Sequence, residues 1–194
     1  DRLVNQYEAT VYLNTDPLVE HERGRRSRGM QPIKDLWGTT IVWPEGVVSA
    51  MPHVTAETKV IRDVTCWRDF VKVPDLVADC SDQALWIPYL ERVAQLDREN
   101  KLLMGFAPTG LFERLHFLMG FEDLFVNLLT EPEAMADLCA AIGEYRYTAM
   151  KLICDILKPD VLMSHDDWEN KTSLFMSPEL WRQYIKPGYV NSYG

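Results

Sequence analysis

The stretch "VLMSHDDW", residues 161–168, sets an imidazole and two adjacent carboxylates at the end of a short apolar run. An ionised carboxylate at the tip of a strand can hold a substrate cation, orient a ligating histidine or take a proton. His165, Asp166 and Asp167 are therefore the candidate catalytic residues. Successive side chains on a strand point to opposite faces, so one aspartate of the pair faces the site if the strand runs on. A surface turn is the other reading of such a pair. His165 as a metal ligand has no evident partner set, because His116 falls on an expected helix and His53 in a loop.

Further groups could meet a substrate. "HERGRRSRG" carries arginines at 23, 25, 26 and 28, and a guanidinium clamps carboxylate or phosphate in a two-pronged fashion. Arg26 and Arg28 are taken as candidate ligand contacts, with a solvated loop or an oligomer contact as the alternative. Trp37 and Trp43 flank an expected hairpin and could line a flat apolar ligand or simply pack the hairpin. Thr109 lies in a turn directly after an expected strand, where backbone amides and a helix start could hold a substrate oxygen. Cys66 has no second ligand near it in sequence and reads as a small hydrophobe. No metal site is read from these residues.

The elements that must position these groups are legible in part. Residues 1–20 read as a short amphipathic helix or extended lead-in, with Thr10 to Leu13 strand-like. Asp35-Leu36-Trp37 and Thr39 to Trp43 are expected as hairpin strands around Gly38, closed by Pro44-Glu45-Gly46. A short strand is expected within 57–65. A helix is expected from about Ser81, restarting or bending at Pro88. "LLMGFAP" (102–108) suits a buried strand, and helices follow over 111–119 and 121–131. The longest helix, about 132–157, carries an apolar ridge of Leu138, Ile142, Tyr145, Ala149, Leu152 and Ile156. Residues 160–167 return to strand and loop. Ser177-Pro178 then starts a last helix. Strands joined by such long crossovers pair in parallel, which gives an α/β class.

The chain has 194 residues, 47% of them hydrophobic, enough for a core and for a single domain. Its formal charge of -9 disfavours nucleic-acid phosphate and anionic lipid as partners. Four cysteines without a CxxC pair, no secretory leader and no apolar run of membrane-spanning length lead to the expectation of a cytoplasmic protein with reduced thiols. A doubly wound sheet would show a glycine-rich phosphate loop, and neither GxGxxG nor GxxxxGK[ST] occurs. A (β/α)8 TIM barrel needs no such loop and carries its chemistry at the carboxyl ends of its strands, where Asp166 and Asp167 stand. Eight strands take ~250 residues. The expectation is thus an incomplete barrel over about 57–194, preceded by an extension and hairpin over about 1–56.

"LMGFAPTGLFERLHFLMGFEDLFVNLLTEPEAMADLC" followed by "KPDVLMSHDDWENKTSLFMSPELWRQYIKP" resembles the uroporphyrinogen decarboxylase superfamily, over residues 101–187. The resemblance implies a TIM barrel and offers two chemistries. One is decarboxylation of a tetrapyrrole, which in that family goes with an "RQAGR" motif; "GRRSRG" at 24–29 is not that motif. The other, to which the chain looks closer, is methyl transfer between a small methylated substrate, a corrinoid (cobalamin) protein and a thiol or tetrahydrofolate acceptor. That branch implies zinc, on a His-x-Cys pair and a later cysteine that these residues do not supply. It also implies a corrinoid on a partner protein, and often a homodimer. Asp166 and Asp167 match its "DD" after a central strand. A non-catalytic subunit that binds through the arginine loop and the tryptophan hairpin is the reading from another class.

Overall fold

The computed structural model describes residues 10–12, 18, 23–24, 26–107 and 109–193. The expected lead-in over 1–20 lies mostly outside the described residues, apart from Leu18 and a strand midway along it, where Thr10 to Leu13 was expected to be strand-like. That strand, β1 (Thr10–Tyr12), pairs in parallel with β5 (Leu102–Phe106), which pairs in parallel with β6 (Val161–Met163). β2 (Ile33–Lys34), β3 (Thr40–Val42) and β4 (Met51–Pro52) form a separate antiparallel sheet.

The expected TIM barrel is not what forms. A barrel closes only when every strand has a neighbour on both sides. Here the strand orders are β1-β5-β6 and β2-β3-β4, and neither sheet closes on itself among the described residues. Among the described residues between β1 and β5, the chain builds the antiparallel sheet and short helical segments instead of further β/α units. The β/α alternation that suggested a barrel is confined to the crossover from β5 to β6.

That crossover holds the core. It comprises α3 (Leu111–Met119), α4 (Phe121–Thr130) and α5 (Pro132–Leu157), preceded by α1 (Leu76–Asp79) and α2 (Ile87–Ala94). Pro132 opens α5 at a position where no backbone donor is needed. Its buried ridge runs Leu138, Ile142, Tyr145, Ala149 and then Ile153 and Leu157, while Leu152 and Ile156 are only half-buried. The expected spacing averages the 3.6 residues of a helical turn, and the last two buried positions lie one residue beyond the expected ones, on the adjoining edge of the same face. The helix stops at Lys158, which has a left-handed backbone, before Pro159.

Pro88 sits in the first turn of α2, so the helix restarts there after a 3-10 turn at Gln83–Leu85. No strand forms within 57–65; Val64–Asp69 is a 3-10 segment, and Cys66 on it is exposed rather than buried. Asp35-Leu36-Trp37 is a turn and not a strand. The Asp35 carboxylate accepts the backbone N–H of Trp37 (3.0 Å) and of Thr39 (2.7 Å), which folds the chain back at Gly38. The other Asp35 oxygen accepts Arg114 Nη1 at 3.0 Å, with both side chains 2% exposed, and so ties this turn to α3.

Burial along β5 alternates, with Leu103 and Gly105 inward. A Cβ on Gly105 would lie 3.0 Å from Ile153, so the small residue lets α5 lie close on this face. Leu102, Val161 and Met163 are each at least 40% exposed, which leaves the opposite face of the sheet less covered. After β6 an irregular loop leads to α6 (Pro178–Leu180), a π-helical stretch (Trp181–Ile185) and α7 (Lys186–Tyr193). Gly188 meets Gly143 of α5 at backbone distance. Among the described residues no helix is long and apolar enough to cross a membrane.

Candidate active site

The two parallel strands β5 and β6 end side by side, and the segments that leave their carboxyl ends meet again. Thr109 and Gly110 follow β5 into α3. Ser164 to Trp168 follow β6. The aspartate doublet splits at this junction.

Asp166 turns into the protein. Its Oδ2 accepts the N–H of Phe112 at 3.0 Å and its Oδ1 that of Glu113 at 2.9 Å. These are free donors of the first turn of α3, and a carboxylate there satisfies them and meets the positive end of the helix. The usual capping side chain is absent because the N-cap is Gly110. A Cβ on Gly110 would lie 2.1 Å from Asp166 Oδ1, so glycine is what admits a cap from a distant strand end. Trp168 Nε1 and the Tyr189 hydroxyl each donate to Asp166 Oδ2 at 2.7 Å. Burial raises the Tyr189 pKa, and the neighbouring Asp166 charge raises it further, so the phenol stays a donor. Asp166 is thereby a positioning residue, which locks β6, α3 and α7 together.

Asp167 turns to the other side and lines a cleft of about 240 Å³ together with His165, Glu113, Thr109 and Arg23. Phe106, Phe117 and Met51 supply apolar walls. His165 Nδ1 lies 3.4 Å from Glu113 Oε2, and His165 Nε2 lies 3.3 Å from Asp167 Oδ1. The imidazole thus stands between two carboxylates. Glu113 is the most enclosed of the three, with 16% of its side chain exposed against 47% for His165 and 69% for Asp167. Its Oε2 also accepts the Gly110 N–H at 3.2 Å. Burial raises the Glu113 pKa, His165 opposes the rise, and the Asp166 charge adds to it. A carboxyl held above its ordinary range beside an imidazole can give and take a proton nearer neutrality.

Arginines frame the turn. Arg23 donates to Thr109 Oγ1. Arg146, 1% exposed on α5, donates to the Thr109 carbonyl and, at 2.8 Å, to Ser164 Oγ, and it lies 5.1 Å from the Tyr189 ring centroid. One guanidinium thus clamps the ends of both strands. His116, on the next turn of α3 from Glu113, packs among Phe112, Phe117 and Phe121, and burial lowers its pKa to about 4.

Of the residues proposed from sequence, His165, Asp167 and Thr109 come together in the cleft, with Asp166 behind it. Trp37 does not line it. The ring is 2% exposed, edge-on to Tyr145 at 4.8 Å and under Arg114 at 4.9 Å, because the Asp35 turn folds it into the core. Trp43 donates its indole N–H to the Val47 carbonyl at 3.0 Å, and the Arg28 guanidinium lies 6.0 Å from its ring, so these two form a surface pair away from the cleft. Arg26 is half-buried and does not line the cleft either. Arg25 and Pro108 lie outside the described residues.

Glu113 and Arg146 were missed by sequence reasoning. Arg146 had a signal, since it is a charge one residue from the apolar ridge of a long helix, where an unpaired cation would be costly. Glu113 had a weaker one, an acid three residues after a glycine that starts a helix. A second cleft, walled by Trp168, Leu174, Met176 and Trp181, has Arg182 as its titratable lining and no acid or imidazole.

The zinc centre implied by the resemblance finds no thiolate set here. Cys80 and Cys139 are buried in the core, Cys66 and Cys154 are exposed, and the Cys139 thiol is pushed up to about 12 by burial. Among the described residues, the one cluster of three potential ligands is Glu113, His165 and Asp167, which holds no sulfur. Compared with models of known families, with curated proteins and with solved structures, the chain gives no match.

Proposed function

We propose that the cleft at the carboxyl ends of β5 and β6 is the active site of a methyltransferase. It would move a methyl group between a small methylated substrate, a corrinoid protein and a thiol or tetrahydrofolate acceptor. Membership of the uroporphyrinogen decarboxylase superfamily, on the motif order over 101–187, is part of the same reading. The observation that carries it is the convergence of Glu113, His165 and Asp167 on one cleft with apolar walls.

The corrinoid, when its protein is docked, supplies a cobalt centre able to accept or donate the methyl. This chain's residues supply the rest. A methyl lost from oxygen, nitrogen or sulfur leaves a lone pair that must be protonated. Glu113, whose pKa burial raises, holds the proton for that atom, and His165 links it to the exposed Asp167 and so to solvent. Phe106 and Phe117 give the methyl an apolar wall on the inner side of the cleft. Asp166, Arg146 and Thr109 fix the ends of the strands. A thiolate-bound zinc has no ligands among the described residues, and no step runs through one.

Tetrapyrrole decarboxylation is the less favoured chemistry. Its substrate carries several carboxylates, whereas the cleft is lined by Glu113 and Asp167 as well as Arg23, with Arg26 and Arg28 elsewhere. Its 240 Å³ also falls below the ~300–1,000 Å³ typical of drug-sized ligands, and suits a smaller compound. A polar cleft at the strand ends likewise weighs against a purely non-catalytic subunit.

The test is to mix the protein with chemically reduced cobalamin and a panel of methylated amines, alcohols and aryl ethers, and to follow loss of the Co(I) absorbance. Methylation with at least one donor is expected. No methylation with any donor, and none from methylcobalamin to a thiol or tetrahydrofolate, would overturn the methyl-transfer reading.

A further inference from the structure

We propose that Glu113, His165 and Asp167 bind a divalent first-row metal ion in this cleft, with Mn²⁺ as a suitable probe. The inference rests on the cleft being the site, is independent of methyl transfer, and describes a metal-bound state in which Glu113 is an ionised ligand and no longer the proton carrier described above. Three donors, one from the start of α3 and two from the end of β6, offer ligand atoms that all lie within 4.8 Å of one another. An imidazole nitrogen with two carboxylate oxygens suits a hard-to-borderline cation and not a thiophilic one. It therefore differs in ligands and in chemistry from the sulfur-bound zinc of the resembled branch.

The contacts around His165 are long for charge-assisted hydrogen bonds, at 3.3 and 3.4 Å against about 2.7–2.9 Å for good ones. The imidazole is therefore close to both acids and tightly paired with neither. A cation at about 2.0–2.2 Å from each ligand would draw the three together. The movement falls on His165 and Asp167, which are the more exposed, while the Gly110 N–H holds Glu113. One ring nitrogen would bind the ion, and the other would stay free to donate to an oxygen.

The local charge favours a cation. Asp166 lies behind Glu113 and brings a third carboxylate within reach. Arg146 is directed to the Thr109 carbonyl and Ser164, and Arg23 to the Thr109 hydroxyl. The cleft then leaves open positions on the ion for water or a substrate heteroatom. Three protein ligands with an open position are the pattern of a catalytic site rather than a closed structural one.

The experiment is a Mn²⁺ titration of the metal-stripped chain without any methyl donor, read by electron paramagnetic resonance. Electron spin echo modulation then looks for imidazole nitrogen. One saturable site per chain with nitrogen coupling is expected. Asp167→Asn and Glu113→Gln should each weaken binding by about tenfold or more, and His165→Gln should abolish the nitrogen coupling. Asp155→Asn, which alters an exposed acid paired with Lys151, should change nothing. Circular dichroism checks the fold; should Glu113→Gln misfold, the exposed His165 and Asp167 variants carry the test. Non-saturable binding, or saturable binding that survives both His165→Gln and Asp167→Asn, would overturn the proposal. A metal site without methyl transfer would leave this inference standing and sink the reading above.

Discussion

At the residue scale, two neighbouring aspartates of identical chemistry take different work because the backbone sends them to opposite sides. Asp166 accepts four hydrogen bonds from three elements, whereas Asp167 stands 69% exposed at the cleft. Asp166→Ala removes the cap of α3 and leaves the Trp168 and Tyr189 donors without their acceptor. A loss of about 3 kcal/mol is expected, or about 6–12 °C in Tm, measured by thermal unfolding. Asp167→Asn should leave Tm nearly unchanged. His116 gives a pH dependence. Its folded pKa is about 4, lowered from 6.5 by burial among aromatic rings, so the folded protein binds this proton less well than the unfolded chain. The contribution is fully present above 6.5 and is lost as pH falls toward 4, on the order of 3 kcal/mol in all. Urea unfolding at pH 7 and pH 4.5 should show a smaller acid loss in His116→Leu than in the wild type. A short sequence could announce the doublet and its alternation, but not the four donors that select Asp166. Those donors come from residues 2 to 54 positions away.

At the scale of elements, the site depends on how one helix begins. α3 starts on a glycine and borrows its cap from the end of β6, which places Glu113 in its first turn against His165. Gly110 has φ -56°, so alanine is not strained by its backbone there. It is excluded by the Asp166 side chain, whose Cβ as well as its carboxylate lies within 2.4 Å of the added carbon. Gly110→Ala should therefore cost about 1–3 kcal/mol, and adding Asp166→Gly, which removes the Cβ as well, should cost less than the sum of the two single changes. Equality with that sum in a double-mutant cycle would refute the contact. Most helices were legible, because α3, α4 and α5 show their period and their proline and glycine boundaries in the sequence. The tryptophan hairpin was legible in part: its second strand forms as β3, while its first strand is displaced to β2. Asp35-Leu36-Trp37 has the composition of a strand, yet the Asp35 side chain satisfies two backbone donors locally and turns it into a bend. That bend buries Trp37 and takes it away from any ligand.

At the scale of the whole molecule, the order of strand, helices and strand is compatible with several folds, and the expectation of an incomplete TIM barrel extended one crossover to a run of β/α units. The paired strands form two small sheets instead. Long-range pairing such as β1 with β5 across residues 13–101 leaves no local trace in a sequence, which is why the architecture was less legible than its helices. What the sequence and the structure share is the placement of His165, Asp166 and Asp167 just after the end of a parallel strand. The most direct measurement is the rate of methyl transfer by variants of the cleft and of the hairpin surface, side by side. Glu113→Gln and His165→Gln should each lower kcat by about a hundredfold or more, while Arg28→Ala and Trp43→Ala stay within about twofold of wild type. Full activity in both cleft variants, with loss in the hairpin variants, would contradict the account.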